Sequence, residues 1–134
     1  MNYFDTVDGI LADERGWVMF PVEDPELLDG HIKNIHLASI NPRQIRGNHY
    51  HQHKIEFIYI FGGKVEVVIR DVEADQVVTH DYVDCYKPML LVARPNISHA
   101  IKNISDKPVY LLDYGTEGYD PKNPDVIVDI LIKE

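Results

Sequence analysis

The stretch 55–70, IEFIYIFGGKVEVVIR, limits the possible folds of this chain more than any other. Val65, Val67 and Ile69 alternate with Lys64, Glu66 and Arg70, with Val68 as the one break, so 64–70 reads as a strand with one buried face. Residues 55–61 are rich in β-branched and aromatic side chains, and Gly62-Gly63 between the two runs is a two-residue link of the kind that needs positive φ. The pattern predicts a β-hairpin. Further strands are expected near 17–20, 32–40, 77–82, 89–93, 98–103, 107–114 and 126–132, separated by turn residues such as Asn41-Pro42, Arg94-Pro95-Asn96 and Asp106-Lys107-Pro108. The strand faces near 31–40 are ambiguous, because apolar residues occupy both alternating sets. A short helical turn is expected at Pro25–Leu28, with Asp24 as N-cap and Pro25 at the first helical position. Many short strands, no long amphipathic helix and no internal repeat predict an all-β fold, a closed barrel or jelly roll.

The chain has 134 residues, which suits a single domain over 1–134 and leaves no room for a separate cofactor-binding domain. Thirteen Lys and Arg against twenty-two Asp and Glu give a formal charge of −9, which argues against nucleic acid or anionic lipid as partner. A small anionic substrate remains compatible, since Arg43, Arg46, Arg70 and Arg94 lie near the motifs below. No apolar run is long enough to span a bilayer, and the start MNYFDTVDGI lacks a secretory pattern, so a cytoplasmic protein is expected. Cys85, the one cysteine, reads as a small buried apolar side chain.

Seven histidines exceed what a core needs, and their placement carries the chemistry. Within GNHYHQHKIEFIYIFGG at 47–63, His49 and His51 are two apart and on a strand point to the same side of the sheet. With a turn around His53–Lys54, Glu56 begins the next antiparallel strand and faces the same interior as Ile58 and Ile60. His99 shares a strand face with Ile101 and Asn103 and supplies a fourth ligand. Three imidazoles and a carboxylate suit a divalent metal ion, zinc first, with iron, manganese, nickel or copper also compatible. His53 has the same parity as His49 and His51 and replaces one of them if the register shifts. His31, His36 and His80 have no partner pattern and read as surface or satisfied polar groups.

These motifs resemble the cupin superfamily, whose first motif places HxH, a Glu and a Gly as His49, His51, Glu56 and Gly63 stand here. Its second motif survives as His99 with Asn103, while Asn96 stands where Gly is usual and Arg94 where the first Pro would be. Asn is the non-Gly residue that best tolerates a left-handed backbone, so the turn is expected to persist. The resemblance implies a cupin double-stranded β-helix, or jelly-roll barrel. DERG at 13–16, GNHYH at 47–51 and YDPKNPD at 119–125 are similar to the cupin domain at the C-terminal end of capsular-polysaccharide reductase–epimerases. Arg46-Gly47-Asn48-His49 resembles the RG-x-H stretch of deoxysugar epimerases and 3,4-ketoisomerases that act on nucleotide-linked 4-keto sugars.

The resemblance therefore implies an isomerase or epimerase of a nucleotide-linked keto sugar in surface-polysaccharide biosynthesis. It gives His49 the role of acid–base group if the site is metal-free, and Arg46 is the candidate donor to a diphosphate. No GxGxxG occurs, so any reduction in such a pathway falls to another protein. A metal-dependent cupin dioxygenase would use the same ligands, and a non-catalytic sugar-binding cupin is the third reading. Phe57, Tyr59 and Phe61 are expected to face outward under another sheet or a second subunit, and a homodimer is expected on that ground.

Overall fold

Turn residues cut the chain into short segments, and each pairs with a segment distant in sequence. The computed structural model describes residues 3–22, 27–117 and 122–134. In chain order the strands are β1 Phe4–Thr6, β2 Leu11–Asp13, β3 Gly16–Val18, β4 Asn34–Ile40, β5 Ile45–Tyr50, β6 Glu56–Phe61, β7 Lys64–Asp71, β8 Gln76–Asp84, β9 Met89–Ala93, β10 Ile97–Asn103, β11 Val109–Gly115 and β12 Ile127–Val128. One five-stranded sheet runs β1-β9-β6-β11-β4 and the other β12-β5-β10-β7-β8, with β2 and β3 forming a separate hairpin. This is the all-β cupin barrel. The helical turn expected at Pro25–Leu28 falls largely outside the described residues; Leu27–His31 forms one irregular turn interrupted at Asp29 and Gly30.

Residues 56–61 and 64–71 are strands, but they do not form the expected hairpin with each other. β6 pairs with β9 and β11, whereas β7 pairs with β8 and β10. The Gly62-Gly63 link is a corner between sheets. Gly62, at φ 100°, donates its N–H to the Cys85 carbonyl at 2.8 Å, and Cys85 N–H donates to the Gly63 carbonyl at 2.8 Å. A hairpin would have set Ile58 and Ile60 beside Val65, Val67 and Ile69 on one sheet. The crossover sets them in one core between two sheets, where they pack with Ile40, Leu91, Ile97, Ile101, Val109 and Leu111. Each such side chain contributes about 1.5–3 kcal/mol on burial.

Strand parity resolves the ambiguous faces of β4: Ile40 is buried, while Ile35 and Leu37 on the other face are 63% and 74% exposed. Phe57, Tyr59 and Phe61 lie on the outer side of the first sheet, where Phe57 stacks on Tyr114 at 4.8 Å and the chain's own N-terminal segment meets the other two. Trp17 of β3 meets Phe61 edge-on at 5.6 Å, and the Pro21 carbonyl accepts from the hydroxyls of Tyr59 at 3.0 Å and Tyr114 at 3.3 Å. The strand expected at 126–132 shrinks to β12; beyond it Asn48 holds the tail, its Oδ1 accepting from the N–H groups of Leu131 at 2.9 Å and Ile132 at 3.1 Å. Among the described residues no helix is long and apolar enough to cross a membrane.

Candidate metal centre

The site begins with a β-bulge. Along the β5–β10 pair His49 stands opposite His99 but Gly47 stands opposite Ala100, so Asn48 is an extra residue in β5. Gly47 at φ 91° and Asn48 at φ 56° turn the backbone there. A Cβ at Gly47 would lie 2.5 Å from the His99 carbonyl oxygen, so only glycine permits this approach. The bulge sets His49 beside His99 on the neighbouring strand, the two rings 4.9 Å apart. His51, just past the end of β5, returns to the interior 5.0 Å from His49 and 6.0 Å from His99. One ring nitrogen from each of the three lies within 4.8 Å of the others, the spacing of a site that could hold one metal ion. His51 and His99 are each 2% exposed, and His49 is half-buried.

Glu56, the first residue of β6, comes beside His51 but stands outside the trio whose ligand atoms all lie within 4.8 Å of one another. Contrary to the expectation of a neighbouring antiparallel strand, β6 lies in the other sheet, so the carboxylate arrives across the barrel. Its Oε1 lies 2.8 Å from His51 Nε2 and 2.9 Å from Lys54 Nζ. Burial opposes ionisation of Glu56, but contacts that include Asp113 and Lys54 outweigh it and hold the carboxyl well below the usual carboxylate range. Asp113 on β11 is pushed up to about 9, first by burial and then by Glu56. His99 is lowered to about 4 by burial and then by the charge of His49, and His49 is lowered by burial and then by His51. Two of the three imidazoles are thus held neutral, as a ligand must be.

The third imidazole has a defined tautomer. His51 Nδ1 lies 2.7 Å from the Asp125 main-chain carbonyl, which can only accept, so Nδ1 carries a proton and in the neutral ring Nε2 is the lone-pair nitrogen. Despite its closeness to Glu56, Nε2 forms no hydrogen bond, and it is the one buried side-chain polar atom without a partner among the described residues. An orphaned lone pair facing a carboxylate oxygen is what a cation between them would satisfy. The donor set fits a divalent metal.

The cavity around these groups measures about 400 Å³, with Ala38, Ile58, Ile101 and Leu111 as apolar wall. Arg46 lines it from an exposed rim position, its Nε–H donating to the Ser39 carbonyl at 2.7 Å. The other arginines point elsewhere or are engaged: Arg43 pairs with Asp106, and Arg70 with Asp75 and Asp129. His53 is exposed and outside the cluster that His49, His51 and His99 form. Asn96 takes the left-handed conformation at φ 64°, and its N–H donates to the His51 carbonyl at 2.7 Å. Asn103 serves the turn after β10, its Nδ2 donating to the carbonyls of Ile40 and Lys107.

His36 is the correction among the histidines. It is exposed but lines the cavity, with Nε2 3.5 Å from Asp113 Oδ2 and Nδ1 3.1 Å from Asn34 Oδ1. Parity carried the signal, since His36 shares a face with Ala38 and Ile40, and Asp113 shares one with Val109 and Leu111. Lys54 gave none, and Asp125 only its place at the end of YDPKNPD, because their roles depend on where distant segments meet.

The family of polysaccharide biosynthesis C-terminal domains matches residues 12–127. The spore coat polysaccharide biosynthesis protein SpsL of Bacillus subtilis is 27% identical over 119 residues, which cover 85% of this chain and 78% of SpsL. The capsular polysaccharide assembling protein CapF of Staphylococcus aureus aligns with a TM-score of 0.66 and 24% identity over 74% of this chain and 27% of CapF. The match thus spans about a quarter of that protein. A dTDP sugar isomerase from Desulfovibrio desulfuricans aligns with a TM-score of 0.72 and 14% identity over 95% of this chain and 82% of the isomerase. These structural likenesses carry the fold.

Proposed function

Because the chain belongs to the family of polysaccharide biosynthesis C-terminal domains, we propose that it is a metal-binding isomerase or epimerase of a nucleotide-linked keto sugar in surface-polysaccharide biosynthesis. The observation that carries this reading is the orphaned His51 Nε2 facing Glu56 in a cavity that also holds His49 and His99. His49, His51, Glu56 and His99 are the ligands, zinc is the first choice of ion, and iron, manganese or nickel are the alternatives. When bound, such an ion supplies Lewis-acid polarisation of a substrate carbonyl.

The rest falls to the chain's own side chains. Isomerisation next to a carbonyl needs a base beside the carbon that loses its proton. His36 is the cavity imidazole outside the ligand set among the described residues, with Asp113 Oδ2 3.5 Å from its Nε2. Arg46 holds the diphosphate, since its terminal N–H groups have no partner among the described residues while Nε anchors the side chain to Ser39. Ile101 and Leu111 exclude water from the inner wall. In a metal-free version of the same reaction His49, the least buried of the three central histidines, is the base. The nucleotide sugar is supported by the dTDP sugar isomerase that shares the fold. The working form is a cytoplasmic homodimer, supported by the exposed apolar side chains of β4.

The test is solvent-deuterium incorporation into nucleotide-linked 4-keto sugars. Incorporation abolished by chelation supports the metal version, whereas incorporation that survives chelation and is lost in His49→Asn supports the metal-free one. No incorporation with any keto sugar overturns the isomerase reading.

A further inference from the structure

The segment from Asp125 onward returns to the site from the far end of the chain, and Asp125 meets it with both its main chain and its side chain. Its carbonyl accepts from His51 Nδ1 at 2.7 Å, while its carboxylate accepts from the N–H of Gln52 through Oδ1 at 2.8 Å and of His53 through Oδ2 at 2.9 Å. Three consecutive residues past β5 are thus gripped by one residue 74 positions away from His51. Asp125 stands at φ 49°, a left-handed conformation that orients carbonyl and carboxylate toward the same turn and that Asp tolerates better than most residues. On the opposite side, the Asn96 N–H fixes the His51 carbonyl.

We infer that Asp125 is the positioning residue of the site: its carboxylate clamps the 51–53 turn so that its own carbonyl holds His51 as the Nδ1–H tautomer, with Nε2 aimed into the cavity. His51 lies just past the last residue of β5, so the sheet ladder does not fix its ring. A free imidazole would exchange between tautomers, and the other tautomer points a proton at Glu56 and withdraws the ligand. A carbonyl hydrogen bond on the remote ring nitrogen is the usual device for fixing a ligand histidine and raising its basicity. The proton on Nδ1 follows from its contact with a carbonyl that can only accept; its consequence for metal affinity rests on the reading given under Proposed function.

Asp125→Gly keeps the left-handed backbone accessible while removing both carboxylate oxygens, so it separates the clamp from backbone strain. Asp125→Asn retains one amide acceptor and should lie between Asp125→Gly and the parent. Asp129→Asn weakens the same tail elsewhere, at its contact with Arg70, and serves as control. In metal-stripped protein at a pH where the imidazoles are neutral, nitrogen-15 NMR of His51 should show the Nδ1–H tautomer in the parent and in Asp129→Asn. It should show a mixture in Asp125→Gly. Nε2–H in the parent, Nδ1–H retained in Asp125→Gly, or an equal change in Asp129→Asn would each overturn the inference. Zinc titration against a competing chelator should then give an affinity lower by about 10–100-fold in Asp125→Gly and unchanged in Asp129→Asn. A parent that fails to bind zinc retires the metal reading, while the tautomer measurement still decides the role of Asp125.

Discussion

Gly47 and Asn48 place one extra residue in β5, and the convergence of His49 on His99 depends on them. Replacing Gly47 by Ala sets a methyl group 2.5 Å from the His99 carbonyl oxygen at a φ of 91°, so the strand must shift or the bulge must open. We expect Gly47→Ala to destabilise the protein by at least about 2 kcal/mol, from backbone strain alone before the clash is counted. A denaturation midpoint equal to the parent's would show that the bulge is not needed. Cys85 offers a separate check on the core. It is fully buried, and burial, followed by the charge of Asp84, pushes its thiol up to about 12. Near pH 8 the folded protein should react with a thiol reagent slower than the denatured protein by on the order of a thousandfold, since the thiolate is the nucleophile. Equal rates would mean that the corner where Cys85 pairs with Gly62 and Gly63 is open. At this scale the HxH motif, Glu56 and His99 were legible in the sequence because strand parity and spacing are local properties. The bulge that joins them was not, although Asn48 stands there as the left-handed residue such a bulge requires.

The elements divide into those whose edges are readable and those whose partners are not. Alternation placed β7 within a residue, yet the same stretch misled about its neighbour: two adjacent apolar runs with a glycine pair between them read as a hairpin whether they pair or cross between sheets. The near-continuous burial of Ile58, Tyr59 and Ile60 in β6 is the trace of a strand covered on both faces. The tail after β12 shows the converse case, an element held by side chains where ladder bonds end. Asn48 accepts from Leu131 and Ile132 through Oδ1 and donates through Nδ2 to the Ile132 carbonyl at 3.0 Å. Asn48→Gly keeps the backbone angle and removes all of these bonds. Amide hydrogen exchange at Leu131 and Ile132 should then approach the rate of an unstructured chain, while β6 and β10 keep their protection. Retained protection at both amides would show that packing of Ile132 on Val68 and Ala100 suffices to dock the tail.

For the whole molecule, charge and apolar exposure point to different surfaces. The balance of −9 leaves a chain suited to small ligands, while β4 presents Ile35 and Leu37 outward at the edge of its sheet. Of the aromatic residues from which a dimer was expected, Phe61 meets Trp17, Tyr59 bonds to Pro21 and Phe57 stacks on Tyr114, which shifts the exposed apolar surface toward β4. Sedimentation at micromolar concentration should show a dimer, and Leu37→Glu should shift it to monomer by placing a charge where a partner would bury it. A monomeric parent would contradict that arrangement. The barrel itself was legible from strand count and turn spacing, and parity marked the inward faces of His36 and Asp113, but their meeting with Lys54 around one cavity is a product of closure that no local pattern encodes. The central claim is that this closure builds a metal site, and metal content tests it most directly. Elemental analysis of protein purified without chelator or metal-affinity resin should find close to one divalent ion per chain, and sharply less in His51→Ala and Glu56→Ala. Full occupancy in both variants, or a parent that takes up no divalent ion on reconstitution, would contradict it.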